Sequence, residues 1–191
     1  ALIGHTGFVG GNLARQMYFD ELYNSKNIED IRGRSFDLVI CAGAPGAKWY
    51  ANAHPEEDRE SIDRLIRGLT YAVIRRLILV STIDAITPRD AYGQHRAFLE
   101  LVCMNTGGCP NIVRLPALFG PGLKKNALYD LMPGQRLNEI ASNATYQWYP
   151  VRRLGADLRG TNMPVVNFVS EPITMGEIRA RFFPDREIGP C

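Results

Sequence analysis

Three evenly spaced glycines and a tyrosine followed by a cation are the residues of this chain best suited to chemistry. Gly4-x-x-Gly7-x-x-Gly10 directly follows the apolar run Ala1–Ile3 and directly precedes an amphipathic stretch with Phe8, Val9, Leu13 and Met17. Strand, glycine turn and helix in that order can cradle a pyrophosphate. Glycine lets the backbone approach the anion, and the free N–H groups and positive dipole end at the helix start point at it. Tyr92 and Arg96 stand four residues apart, so a helix puts them on one face. A cation there favours the phenolate. The guanidinium fork also suits a carboxylate, and a fork locked onto one would leave the phenol unactivated. Ser81 and Thr82 close the apolar run from Arg76, which places two hydroxyls at the carboxyl end of a strand. Open α/β sheets bind their ligands at that end. His95 is rotated away from Tyr92 by one residue and is expected at the surface.

The elements that position these groups alternate strand and helix. Met17–Leu22 is expected as a second strand, followed by a turn at Tyr23–Asn27 and a short helical segment, Ile28–Arg32. In dinucleotide folds an acid about 20 residues past the glycines holds the adenosine ribose. Asp20 and Glu21 come too early, whereas Asn24, Ser25 and Lys26 stand nearer that place. They suit ribose hydroxyls or, through Lys26, a 2′-phosphate; a polar turn capping the next helix explains them equally well. NAD against NADP is therefore open. Phe36–Pro45 reads as a parallel strand covered on both faces, ending in the small residues Cys41, Ala42 and Gly43. Pro55–Ala72 reads as a helix with Ile62, Leu65, Ile66 and Leu69 on one face. Its Glu56, Glu57 and Asp58 suit the helix dipole and need no catalytic role. Near the end, Thr174 and Glu177 are spaced as a capping box.

Composition bounds the rest. A chain of 191 residues is one domain, or one domain with a small appendage, and 46% hydrophobic residues suit a globular core. A formal charge of +2 gives no case for nucleic acid or a membrane surface. No apolar run approaches the roughly 20 residues of a membrane span, and no charged-then-apolar leader is expected. The cysteines Cys41, Cys103, Cys109 and Cys191 lack paired metal spacing, and no metal is expected. Cys41, inside an apolar strand, reads as a buried thiol in a reducing compartment, so a cytoplasmic location is expected.

The glycine spacing resembles that of the extended short-chain dehydrogenases/reductases, the branch with sugar-nucleotide epimerases, dehydratases and reductases. Further segments resemble the family in the same order: Ala42-Gly43-Ala44, Ser81-Thr82, Tyr92-x-x-x-Arg96, Asn111–Pro116 and Phe119-Gly-Pro-Gly122. The resemblance implies an α/β fold: a Rossmann-type doubly wound parallel sheet over residues 1–122, with a small substrate lobe over 123–191 packed on it as a single compact unit. It implies NAD or NADP held by Gly4, Thr6, Gly7, Phe8, Val9, Gly10, Asn24, Ser25, Lys26, Cys41, Ala42, Gly43, Ser81, Tyr92, Arg96, Leu115 and Pro116. Tyr92 would be the general acid/base, Thr82 the catalytic hydroxyl, and Arg96 would stand where the family has lysine, under the nicotinamide ribose. Ala117 and Phe119 replace the family's asparagine and tyrosine. Thr82, Lys124, Asn126 and Trp148 are the expected substrate contacts. A solvated basic turn is as good a reading of Lys124 and Lys125, and a core position as good a reading of Trp148. The expected partner is a small molecule, a sugar nucleotide in the first place, with a homodimer left open. Extended members are usually longer and this chain starts inside a strand, so missing leading residues and shortened loops are expected. A non-catalytic dinucleotide-binding protein, a redox sensor or regulatory partner, is the second reading.

Overall fold

The computed structural model describes residues 1–106 and 109–190; Cys191, named above among the thiols, lies outside them. The chain opens with β1 (Leu2–Ile3), a glycine turn and α1 (Phe8–Gln16). β2 (Leu22–Tyr23) follows, then a 3-10 turn at Ile28–Ile31 and β3 (Ser35–Cys41). The expected second strand, Met17–Leu22, is corrected here. Met17 closes α1 by donating its N–H to Leu13 O, and Tyr18 is exposed. The pairing on β1 covers only Leu2↔Leu22 and Ile3↔Tyr23, so nothing orders the preceding residues as strand.

Next come α2 (Lys48–Ala53), α3 (Pro55–Thr70), β4 (Val73–Thr82), α4 (Ala91–Asn105) and β5 (Cys109–Leu115). α2 has only Ala51 buried, and so carries no apolar period to read. α3 starts on Pro55 with three acids in its first turn and buries Ile62, Leu65 and Leu69. Asp90 caps α4, accepting from Gly93 N at 2.9 Å. β4 begins at Val73, opposite Ser35, three residues before the expected start at Arg76.

The chain divides into two compact units: residues 1–115 with 152–168, and residues 116–151 with 169–191. Residues 152–168, which the expected boundary at 123 assigns to the substrate lobe, belong to the first unit. There they form α6 (Leu154–Gly160), numbered after α5 of the second unit, and β9 (Val165–Asn167), numbered after β6 to β8. The first unit is built on one parallel sheet, ordered β2-β1-β3-β4-β5-β9. From β1 the chain order runs outward in both directions, so the order reverses between β1 and β3, which is where such sheets bind ligands. Ile3, Val39, Cys41, Leu79 and Ile112 of the sheet pack with Ile62, Leu65 and Leu69 of α3 and Leu99 and Cys103 of α4. Each fully buried aliphatic side chain contributes roughly 1.5–3 kcal/mol.

In the second unit β6 (Ala117–Phe119) pairs in parallel with β8 (Trp148–Pro150). β7 (Thr145–Tyr146) pairs antiparallel with β10 (Ile173–Thr174). α5 (Ala127–Leu131) and α7 (Met175–Phe182) complete it, over a core of Leu131, Ile140, Trp148, Met175 and Ile178. The Thr174–Glu177 capping box forms as expected at the start of α7.

Candidate active site

The glycine turn sits at the β1/β3 switch point. Gly4 has φ +89°, and a Cβ there would overlap the Ala42 carbonyl. A Cβ on Gly10 would overlap the Gly4 carbonyl. These two glycines let loop, helix and neighbouring strand meet. Gly7 is different: it is the N-cap of α1, and a Cβ there would meet only Gly4 O, at 3.3 Å. Thr6 and Gly7 are exposed and Phe8 and Val9 half-buried, so the start of α1 is open to solvent. That cradle fits a dinucleotide pyrophosphate. Gly43 also approaches closely, since a Cβ there would stand 2.9 Å from Ile3 Cγ2. Cys41 is buried and its thiol is pushed up to about 12 by burial, which suits a space-filling role.

Asn24 follows β2 directly, at the strand's carboxyl end. Its side chain touches His5 Nε2 of the glycine turn at 3.1 Å and accepts Lys26 N–H at 2.8 Å. Ser25 and Lys26 are exposed beside it. Glu21, the nearest acid, is held by Tyr23 and Arg34.

At the end of β4 the two hydroxyls part. Ser81 donates to Glu100 Oε1, and the buried Glu100 is gripped by Arg114, whose Nη2 stands 2.6 Å from Oε2. Thr82 instead donates to Asp84 Oδ2 at 3.1 Å, and its hydroxyl lies beside the Tyr92 phenol, whose charged form it favours. Tyr92 is buried, and its backbone N–H donates to Asn52 Oδ1 of α2 at 3.0 Å. Burial pushes the Tyr92 phenol above its ordinary value. Arg96, Thr82 and Lys48 pull it down and Asp84 pushes it further up, with burial the strongest influence.

Arg96 lies with its guanidinium carbon 4.3 Å from the Tyr92 ring centroid. Its Nη1 donates to Asp58 Oδ2 at 2.7 Å and its Nη2 to Asp58 Oδ1 at 2.8 Å, with Pro45 O as a third acceptor. His95 is not at the surface as expected. Its Nδ1 stands 2.7 Å from Asp58 Oδ2, on a side chain 14% exposed, because the buried carboxylate draws it in. Burial works against the Asp58 charge, but Arg96 and His95 outweigh it and hold the carboxyl below its ordinary value. Lys48, at the start of α2, reaches Asp84 Oδ1 at 2.5 Å and Asp90 Oδ2 at 3.3 Å, with Nζ 5.9 Å from the Tyr92 ring centroid.

The first unit therefore gathers Thr82, Tyr92 and Arg96 at one place. It adds Lys48, Asn52, Asp58, Asp84 and His95, to which the sequence reading gave no role in the site. Leu115 ends β5, next to Thr82 on β4. Pro116, Lys124, Asn126 and Trp148 belong to the second unit. Asn126 caps α5, accepting from Tyr129 N at 2.9 Å and donating to Leu118 O at 2.9 Å. Lys124 and Lys125 are exposed, and Lys125 is shifted down by desolvation. Trp148 packs into that unit's core with Leu131 and Met175. Among the described residues no group of His, Cys, Asp and Glu is placed to hold a metal, and no helix is long and apolar enough to cross a membrane.

No protein-family model matches the chain, and no curated protein matches it. Solved structures do. An NAD-dependent NDP-hexosamine 5,6-dehydratase of tunicamycin biosynthesis shares 18% identity at TM-score 0.74, over 99% of this chain and 82% of that one. A UDP-glucose 4-epimerase from Thermotoga maritima, solved with UDP-glucose, shares 13% identity at TM-score 0.75, over 100% and 84%. MoeE5, solved with UDP-glucose and NAD, shares 16% identity at TM-score 0.73, over 94% and 79%. The fold is thus the one these solved structures share, a doubly wound parallel sheet with helices on its faces.

Proposed function

We propose that the chain is an NAD(P)-dependent oxidoreductase of the epimerase, dehydratase or reductase kind, acting on a sugar nucleotide or a similar hydroxyl or carbonyl compound. The observation that carries this reading is the meeting of Thr82 and the Tyr92 phenol at the carboxyl end of β4, in the unit that holds the glycine cradle. A nicotinamide, when bound, supplies hydride transfer. Thr82 then holds the reacting substrate oxygen and Tyr92 exchanges its proton. Asn52 and the cap at Asp90 fix where the tyrosine stands. The cradle of Gly4, Gly7 and Gly10 and the solved structures described with NAD or UDP-glucose support the reading.

A second reading, a dinucleotide-binding protein without turnover, is favoured by the raised Tyr92 phenol and by the commitment of Arg96 to Asp58. Wild type and Tyr92→Phe should be incubated with UDP- and dTDP-sugars and either dinucleotide. Turnover by the wild type that falls on the order of 100-fold in Tyr92→Phe, with dinucleotide affinity kept, supports the enzyme. Dinucleotide binding without turnover of any sugar nucleotide replaces it by the second reading. Absence of dinucleotide binding removes both.

A further inference from the structure

We infer that Lys48, and not Arg96, is the cation of the Tyr92 site that meets bound ligand, donating to a hydroxyl oxygen beside the phenol. The inference rests on the dinucleotide reading above for the source of that oxygen, the cofactor ribose or a sugar substrate. Arg96 has no exposed donor to offer, its unpartnered Nε being buried. Its side chain is 2% exposed, and both Nη atoms are engaged by Asp58 and the Pro45 carbonyl. A guanidinium held so cannot swing toward a ligand without leaving the buried Asp58 carboxylate to His95 alone, which is unfavourable. Its role is to bind α4 to α3 beneath the tyrosine ring.

Lys48 has the opposite character. Its side chain is 47% exposed, and Asp84 and Asp90 engage Nζ. An ammonium carries three donors, so one N–H remains for a ligand. The two carboxylates outweigh partial burial and raise Lys48 above its ordinary value, so it stays charged at neutral pH. Lys48 is also tied to the reacting group. Asp84 accepts from Lys48 on Oδ1 and from Thr82 on Oδ2, and Thr82 stands beside the Tyr92 phenol. Asn52, one turn along α2 from Lys48, holds the Tyr92 backbone. With Nζ 5.9 Å from the Tyr92 ring centroid, a ligand oxygen set between Lys48 and the phenol can take the third Lys48 donor.

NADH alone, and UDP-glucose in the presence of NAD, should be titrated by calorimetry into the wild type, Lys48→Met, Lys48→Arg and Arg96→Met, with thermal unfolding of each. Lys48→Met is expected to weaken one titration about tenfold, the scale of one charge-assisted hydrogen bond, while its Tm stays near wild type. Loss in the NADH arm identifies the ribose as the source, and loss in the UDP-glucose arm identifies the sugar. Lys48→Arg should retain most of the affinity. Arg96→Met should chiefly lower Tm. Wild-type affinity of Lys48→Met in both arms overturns the inference, as does a loss matched by an equal fall in Tm. A wild type that binds NADH but not UDP-glucose leaves the NADH arm to decide. If the wild type binds no dinucleotide, the functional reading fails first and takes this inference with it.

Discussion

Gly7 and Gly10 differ in what a methyl group would meet, and that difference separates binding from folding. Gly10→Ala drives its Cβ into the Gly4 carbonyl and should lower the melting temperature. Gly7→Val has only Gly4 O nearby and should fold, yet lose dinucleotide affinity by covering the start of α1. Circular dichroism melts beside calorimetry read the two effects apart; unchanged affinity in a folded Gly7→Val protein would remove the cradle. The buried pair Asp58–Arg96 makes a second test. Asp58→Asn strands the guanidinium and should cost about 3–5 kcal/mol at neutral pH. Because the Asp58 carboxyl is held below its ordinary value, the stability it adds is complete above about pH 4 and is lost as pH falls through the lower folded value. Asp58→Asn should therefore flatten the acid limb of a urea stability profile. Arg96→Lys restores the family's residue but forfeits the fork, and should cost on the order of 1–2 kcal/mol. Part of this was legible in the sequence. Asp58, Ile62, Leu65 and Leu69 share one spacing, and Tyr92, Arg96, Leu99 and Cys103 share the same one, so opposite charges stand on the apolar stripes of two helices. Treating Asp58 as a dipole partner passed over that signal, and the misplacement of His95 followed from it.

Among the elements, those with a strong apolar period were the legible ones. β3, α3, β4 and α4 stand near their expected places because long runs or amphipathic stripes define them. α2 and β2 were not legible, for different reasons. α2 buries a single alanine, so its existence follows from the polar contacts of Lys48 and Asn52 with the tyrosine site and not from a periodic face. β2 is two residues long because β1 offers only two partners, a constraint that lies elsewhere in the chain. The short β2 nevertheless delivers Asn24, Ser25 and Lys26 to the carboxyl end of the sheet. Among these, Lys26 is the cation able to meet a 2′-phosphate. Lys26→Glu should weaken NADP about tenfold or more and NAD far less, as read by calorimetry with each dinucleotide. Equal effects on both would leave the segment a turn and nothing more.

For the whole molecule, the doubly wound sheet was legible through the resemblance that the ordered motifs carry, but the return of residues 152–168 to it was not. Val165-Val-Asn167 is a short apolar run without a glycine turn, and nothing in its sequence names a partner more than 50 residues earlier. The pairing exists all the same: Ile112↔Val165, Val113↔Val166 and Arg114↔Asn167. Its consequence falls at synthesis. Residues 1–115 leave the ribosome before the rest and can lay down β2-β1-β3-β4-β5, while residues 116–151, which build most of the other unit, follow them. Throughout that interval the ladder groups of Ile112 to Arg114 stand as a bare sheet edge, open to a neighbouring nascent chain. A stalled chain ending at residue 151 should pellet from a translation extract far more readily than one carried past residue 167. The length of that exposure is then set by a strand of three residues that arrives late.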